Sequence, residues 1–191
     1  MVHYENHEAK ETCEYIQLKP IGTIKNQSRE ASWGTELQAL TWQERATRMK
    51  AQCQAVSELI IDPELTDMLD GIEKFSHLMV LYWSHLIPEN RRRTMKVHPL
   101  GSKAFPLVGL FATHSPARPN SILVTTVHLL ERQGNILKVT GLDALDGSPV
   151  LDIKPYLPDE QNRKDIIIPD WMKKIHDGFS DDDISGHSQG E

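Results

Sequence analysis

Residues 121–140 read SILVTTVHLLERQGNILKVT, and this stretch decides the fold class. Its two ends, 121–130 and 136–140, are rich in β-branched and aliphatic side chains. Between them Gln133-Gly134-Asn135 is a hairpin signal, because Gly and Asn tolerate the positive φ of a tight turn. The same pattern recurs outward in both directions. Residues 56–61, 75–86, 107–113 and 149–153 read as further strands, and Asp146-Gly147 marks a second turn. Residues 18–25, LKPIGTIK, alternate apolar and polar side chains, with Pro20 confining this run to a sheet edge or a strand start. Helix is sparse. Thr41-Trp42-Gln43-Glu44 fits a capping box and opens a helix over about 42–54, whose narrow apolar stripe is Ala46, Met49 and Cys53. Asp62-Pro63 starts a short helix that Gly71 ends, and another opens after Pro169 over roughly 170–176. Many short strands with little helix between them predict a mainly β sandwich or barrel, not an α/β sheet.

Length and composition agree with one domain. The 191 residues are 39% hydrophobic and 25% charged, enough apolar mass for a core and too much charge for a membrane protein. The longest apolar run, 77–88, is interrupted by Ser84 and His85 and is far shorter than a membrane span. Residues 1–10 are polar and carry no signal-peptide core. Cys13 and Cys53 stand without CxxC spacing, which points to a reducing compartment, so a soluble cytoplasmic protein is expected. The net charge of -6 argues at first against nucleic acid. Five of the acids lie in residues 177–191, which hold no Lys or Arg, and the remaining body is nearly neutral. A neutral body with one basic segment can still bind RNA through a patch. Arg91, Arg92, Arg93, Lys96, His98 and Lys103 supply that segment.

Several chemistries are absent from the sequence. There is no GxxxxGK[ST], no GxGxxG, no HExxH and no GxSxG. No metal is expected: His77 and His85 would share one strand face, but eight residues of strand separate them by roughly 26 Å. Two stretches are informative. Residues 109–120, GLFATHSPARPN, form a loop braced by Pro116 and Pro119, which would hold Arg118 and Asn120 in place. Residues 141–156 read GLDALDGSPVLDIKPY, and strict alternation after the turn would set Val150, Asp152, Lys154 and Tyr156 on one face.

These stretches, with PIGTI at 20–24, GIEKFSHL at 71–78 and YWSH at 82–85, resemble the TsaA-like family of S-adenosylmethionine-dependent tRNA methyltransferases. The resemblance covers most of residues 18–158. It implies a single-sheet β-barrel with a few short helices, working as a homodimer with S-adenosylmethionine near the subunit interface. It also implies methyl transfer to N6 of threonylcarbamoyl-adenosine beside the tRNA anticodon, with no membrane or DNA partner. By position, the cofactor site would draw on His85, His114, Val124, Leu145, Asp146, Gly147 and Ser148. Asp152 and Tyr156 are the candidate catalytic groups. Arg118, Asn120, Lys154, Arg91, Arg92 and Arg93 are the candidate substrate contacts. The family usually carries Arg at the place of His114 and RPNPIG where residues 118–123 read RPNSIL. Two alternatives follow from those departures: a same-fold enzyme methylating a small molecule, and a non-catalytic S-adenosylmethionine-binding protein. The expected organisation is a flexible N-terminus over 1–17, the barrel domain over 18–158 with a divergent helical segment at 26–54, an extension with a short helix over 159–176, and a disordered acidic tail over 177–191.

Overall fold

The computed structural model describes residues 16–28, 40–157 and 167–178. Most of the N-terminal segment and of the acidic tail expected from the sequence lies outside these residues. The hairpin expected over 121–140 is present. Strand β6, Ile122–Gln133, turns through Gly134 at φ 63° into β7, Ile136–Thr140. Strand β6 runs past the expected limit of 130 because Glu131 pairs with Lys138 across the ladder, giving its polar end a partner. With β1 (Gly22–Lys25), β2 (Ser57–Ile61), β3 (His77–Trp83) and β8 (Pro149–Pro155), these strands close an antiparallel barrel in the order β1-β2-β7-β6-β3-β8. The single-sheet barrel implied by the resemblance is therefore the observed core, and β4 (Lys96–Val97) and β5 (Val108–Gly109) form a separate two-stranded ribbon beside it.

Inward-pointing side chains fill the barrel. Ile24, Leu59, Leu78, Val80, Val127, Leu137, Val139 and Val150 are fully buried. Gly22 lies where β1 crosses β2 so closely that an added Cβ would fall on the Ile60 carbonyl. Pro20 stands just before β1, at the strand start that its missing N–H permits.

Helix α1, Trp42–Gln54, carries the capping box as read: the Thr41 hydroxyl accepts from the Glu44 amide at 3.3 Å, and the Glu44 carboxylate accepts from the Thr41 amide at 2.7 Å. Trp42 packs edge-on against Phe105, which seats the helix over the loop between β4 and β5. Helix α2, Asp170–Asp177, is one residue longer than expected, and its Lys174 lies over the Trp42 ring.

Three expectations need correction. Residues 107–113 are not a strand: only Val108–Gly109 pairs, and Leu110–Ala112 turns as a 3-10 helix that buries Leu110 and leaves Phe111 exposed. An apolar run this short does not declare its own conformation. The Asp62-Pro63 helix is present, as a 3-10 segment over Pro63–Leu69 capped by Asp62, and a second one, Ile72–Lys74, follows Gly71 at φ 85°. Strand β3 ends at Trp83, so His85 lies beyond it and shares no strand face with His77. The alternation expected on β8 also fails. The pairing with β3 shifts between Leu81 and Tyr82, so that Tyr82 faces Val150 while Val80 faces Ile153. Both Val150 and Ile153 thus pack on the core, and Asp152 and Lys154 lie outside it.

Replacing Gly22 by Ala should lower the unfolding free energy by about 1–3 kcal/mol through backbone overpacking. Urea denaturation, with the m-value unchanged, checks this.

Candidate functional site at the barrel mouth

One end of the barrel gathers the ends of β1, β3 and β7 and the starts of β2, β6 and β8. The segment joining β7 to β8, residues 141–148, crosses this mouth. Asn26, just past β1, pins it there: its amide donates to Asp146 Oδ1 at 3.0 Å, and its side-chain Nδ2 donates to the Ala144 carbonyl at 3.0 Å and to Ser57 Oγ at 3.2 Å. The backbone repeats the link, with Asp146 N donating to Ser28 O and Gly147 N to Ile24 O, both at 2.8 Å. Gly147 holds φ 77°, and a Cβ there would approach His85 Nε2 at 3.7 Å. The His85 Nδ1 atom lies 3.2 Å from the Ser148 hydroxyl. His85 and Ser148, 63 residues apart in sequence, are thus brought together with Asp146 and Gly147, and Leu145 adjoins them. Burial holds the His85 imidazole below its usual range, with the Asp146 charge pulling in the opposite direction.

A second polar group faces the same mouth from inside. The Tyr82 hydroxyl, on a residue only 1% exposed, donates to Asp143 Oδ1 at 2.6 Å, and the Thr125 hydroxyl donates to the same oxygen at 2.6 Å. Burial first, and the Asp143 charge second, push the Tyr82 phenol far above its usual range, so it stays a donor. The Cys53 thiol at the end of α1 is pushed up to about 11 by burial and by Asp143. Helix α1 reaches this place through Gly141 N donating to Cys53 O at 2.6 Å. Sequence reasoning passed over Asn26, Tyr82, Thr125 and Asp143. A Tyr and a Thr at inward positions of apolar strands were the available signal, since a buried hydroxyl needs a partner.

The remaining candidates are dispersed. Arg118 is spent on its own loop: Nη1 donates to Thr113 O at 2.9 Å, and its guanidinium lies over Phe111. His114 and Asn120 are exposed in that loop. Val124 is 56% exposed, on β6 opposite Leu81. Asp152 is held by Lys154 at 2.7 Å and by the Ile153 amide at 2.9 Å, on the barrel exterior. Tyr156 sits past the far end of β8, its amide bonded to His77 O, roughly 26 Å of strand from Ser148. Arg92 packs over Trp83, whereas Arg91 and Arg93 are exposed.

Residues 42–161 match the family model described as the tRNA-methyltransferase O N-terminal domain. The chain belongs to the TrmO family. A "Probable S-adenosyl-L-methionine-binding protein" of Methanothermobacter thermautotrophicus is 41% identical over 149 residues, covering 75% of this chain and 92% of that protein. The Escherichia coli tRNA (adenine(37)-N6)-methyltransferase is 43% identical over 105 residues, covering 52% of this chain and 44% of its own. A crystal structure of TrmO from P. aeruginosa superposes with a TM-score of 0.58 at 27% identity, covering 83% of this chain and 62% of that one. The chain therefore spans nearly all of the archaeal relative but less than two thirds of the bacterial TrmO proteins.

The mouth of this TrmO-family barrel suits S-adenosylmethionine chemically. Asp146 brings negative charge towards which a sulfonium is drawn, and a neutral His85 adds no repulsion. Among the described residues, no three His, Cys, Asp or Glu side chains converge to hold a metal ion.

An NMR titration should place the His85 midpoint below about 6.5. Asp146→Asn should lower it further, because the carboxylate raises it. The folded ring binds its proton less tightly than the unfolded one, so the stability linked to His85 is present above the unfolded value of about 6.5 and lost as pH falls from there through the folded value. Asn26→Ala removes the side-chain donors to Ala144 and Ser57 and the acceptor of the Ser28 amide, and should cost about 1–3 kcal/mol by chemical denaturation.

Proposed function

We propose that this TrmO-family protein transfers a methyl group from S-adenosylmethionine to N6 of threonylcarbamoyl-adenosine beside the tRNA anticodon. The observation that carries the reading is the convergence of His85 with Asp146, Gly147 and Ser148 at the barrel mouth, in a chain of this family. S-adenosylmethionine supplies an already activated methyl. The chain's task is then to align donor and acceptor, and effective molarity provides most of the rate. Asp146, Gly147, Ser148, Leu145 and His85 hold the donor in this reading, and residues 18–158 form the catalytic unit.

Homodimerisation belongs to the same proposal. The outer face of β6 exposes Ile122, Val124 and Leu130, and His77 of β3 stacks near His128 beside them, an apolar surface suited to a second copy. The tRNA would meet Arg91, Arg93, Lys96 and Lys103, all exposed. Such a protein works in the cytoplasm. Among the described residues, no helix is long and apolar enough to cross a membrane.

Incubation of the purified protein with S-adenosylmethionine and tRNA carrying threonylcarbamoyl-adenosine, followed by mass spectrometry of nucleosides, should show a gain of one methyl on that nucleoside. An unchanged nucleoside would refute the reading. Reversing Arg91 and Arg93 to Glu should weaken tRNA binding by about tenfold or more and flatten its salt dependence, measured by filter binding at several salt concentrations.

A further inference from the structure

Three acids lie on the segment that crosses the mouth and the strand it feeds, and their surroundings differ. Asp152 has both oxygens engaged, Oδ2 by Lys154 at 2.7 Å and Oδ1 by the Ile153 amide at 2.9 Å, and it faces away from the core. Asp146 uses Oδ1 to accept the Asn26 amide and so belongs to the clamp that holds the segment in place. Asp143 is different. Its Oδ1 accepts two hydroxyl donors at 2.6 Å, Tyr82 from β3 and Thr125 from β6, while the residue itself is exposed. The carboxylate is therefore oriented by the rigid barrel wall, not by its own loop, and Oδ2 is left for an incoming group.

We propose that Asp143 is the proton acceptor of the methyl transfer, with Tyr82 and Thr125 as its positioning residues. The inference rests on the methyltransferase reading above. An N6 nitrogen conjugated to a purine and a carbonyl is a weak nucleophile and carries one N–H. As its lone pair forms the N–C bond, the S–C bond of the donor breaks and that electron pair stays on sulfur, leaving a neutral thioether. The nitrogen becomes cationic and strongly acidic, so a carboxylate is base enough to take its proton, which Asp143 then passes to solvent. Charge and atoms balance: one sulfonium and one N–H become one thioether, one N–CH3 and one proton. The titratable groups that sense the Asp143 charge are Tyr82 inside the barrel and Cys53 at the end of α1. Both are held protonated, so neither competes for the role. Gln52 donates to the Asp143 carbonyl at 3.5 Å and steadies its backbone from the helix side.

The test uses the full chain and tRNA bearing threonylcarbamoyl-adenosine, and reads kcat, KM and, by calorimetry without tRNA, the affinity for S-adenosylmethionine. Asp143→Asn should reduce kcat about a hundredfold or more, with donor affinity changed by less than about threefold. Asp143→Ala should regain about tenfold in kcat on addition of formate, a small carboxylate that can occupy the vacated place, whereas a structural role would give no rescue. Tyr82→Phe removes one of two donors and should lower kcat by about three- to tenfold with KM unchanged. Thermal melting confirms that each variant is folded. If Asp143→Asn keeps more than about a tenth of wild-type kcat, or loses donor affinity in parallel with kcat, the assignment is overturned. If Asp146→Asn instead shows the selective kcat loss, the base is Asp146. A wild-type protein that transfers no methyl would overturn the methyltransferase reading itself, a result distinct from any failure confined to the variants.

Discussion

Strand β8 has two obligations that a regular strand could not meet together. It must pair with β3 along the barrel wall and with β1 at the closure, and both Val150 and Ile153 must reach the core. Residues three apart on an ideal strand point in opposite directions, so one residue has to be absorbed. The register shift opposite Leu81 and Tyr82 does this. Closure follows, because Val150 can then sit across from Gly22 while Ile21 N donates to Val150 O at 2.8 Å. With the barrel closed, no long edge is left unpaired, and the connection from β7 has only the mouth to cross.

The mouth inherits its rigidity from that closure. Asn26 extends from β1 and Ser57 opens β2, and together they fix the carbonyl of Ala144 and the carboxylate of Asp146. His85 arrives from the other side, just past β3, and meets Ser148. Inside, Tyr82 and Thr125 turn a polar pair towards a loop carboxylate in a wall otherwise made of aliphatic residues. A hydroxyl buried in such a wall is tolerated only because the acceptor is charged and close. The polar layer therefore aims at one place, and the barrel supplies the aim.

Much of this was legible in the sequence. The hairpin over 121–140, the Thr41–Glu44 box and the Asp146-Gly147 turn are local devices, each written within a few residues, and each is present. The run at 107–113 misled because its apolar residues serve a 3-10 turn and a two-residue ribbon, and no period distinguishes those from a strand. Strict alternation misplaced Val150 beside Asp152, since a bulge depends on what the neighbouring strand requires and leaves no local mark. The resemblance pointed to the turn residues that meet His85 at the mouth. It gave no role to Asn26 or Tyr82, whose partners lie far along the chain, and Tyr156 proved to sit at the opposite end of the barrel.

Asn26 and Asp146 are 120 residues apart, yet their bond ties the end of β1 to the segment that crosses the mouth. During synthesis β1 leaves the ribosome early and must wait for almost the whole domain before its second neighbour, β8, exists. Contacts of such sequence separation form late and slowly. A nascent or truncated chain lacking β8 therefore has neither a finished wall nor a competent mouth. Affinity for a small ligand at that mouth would report, in a single measurement, that translation of the domain has been completed.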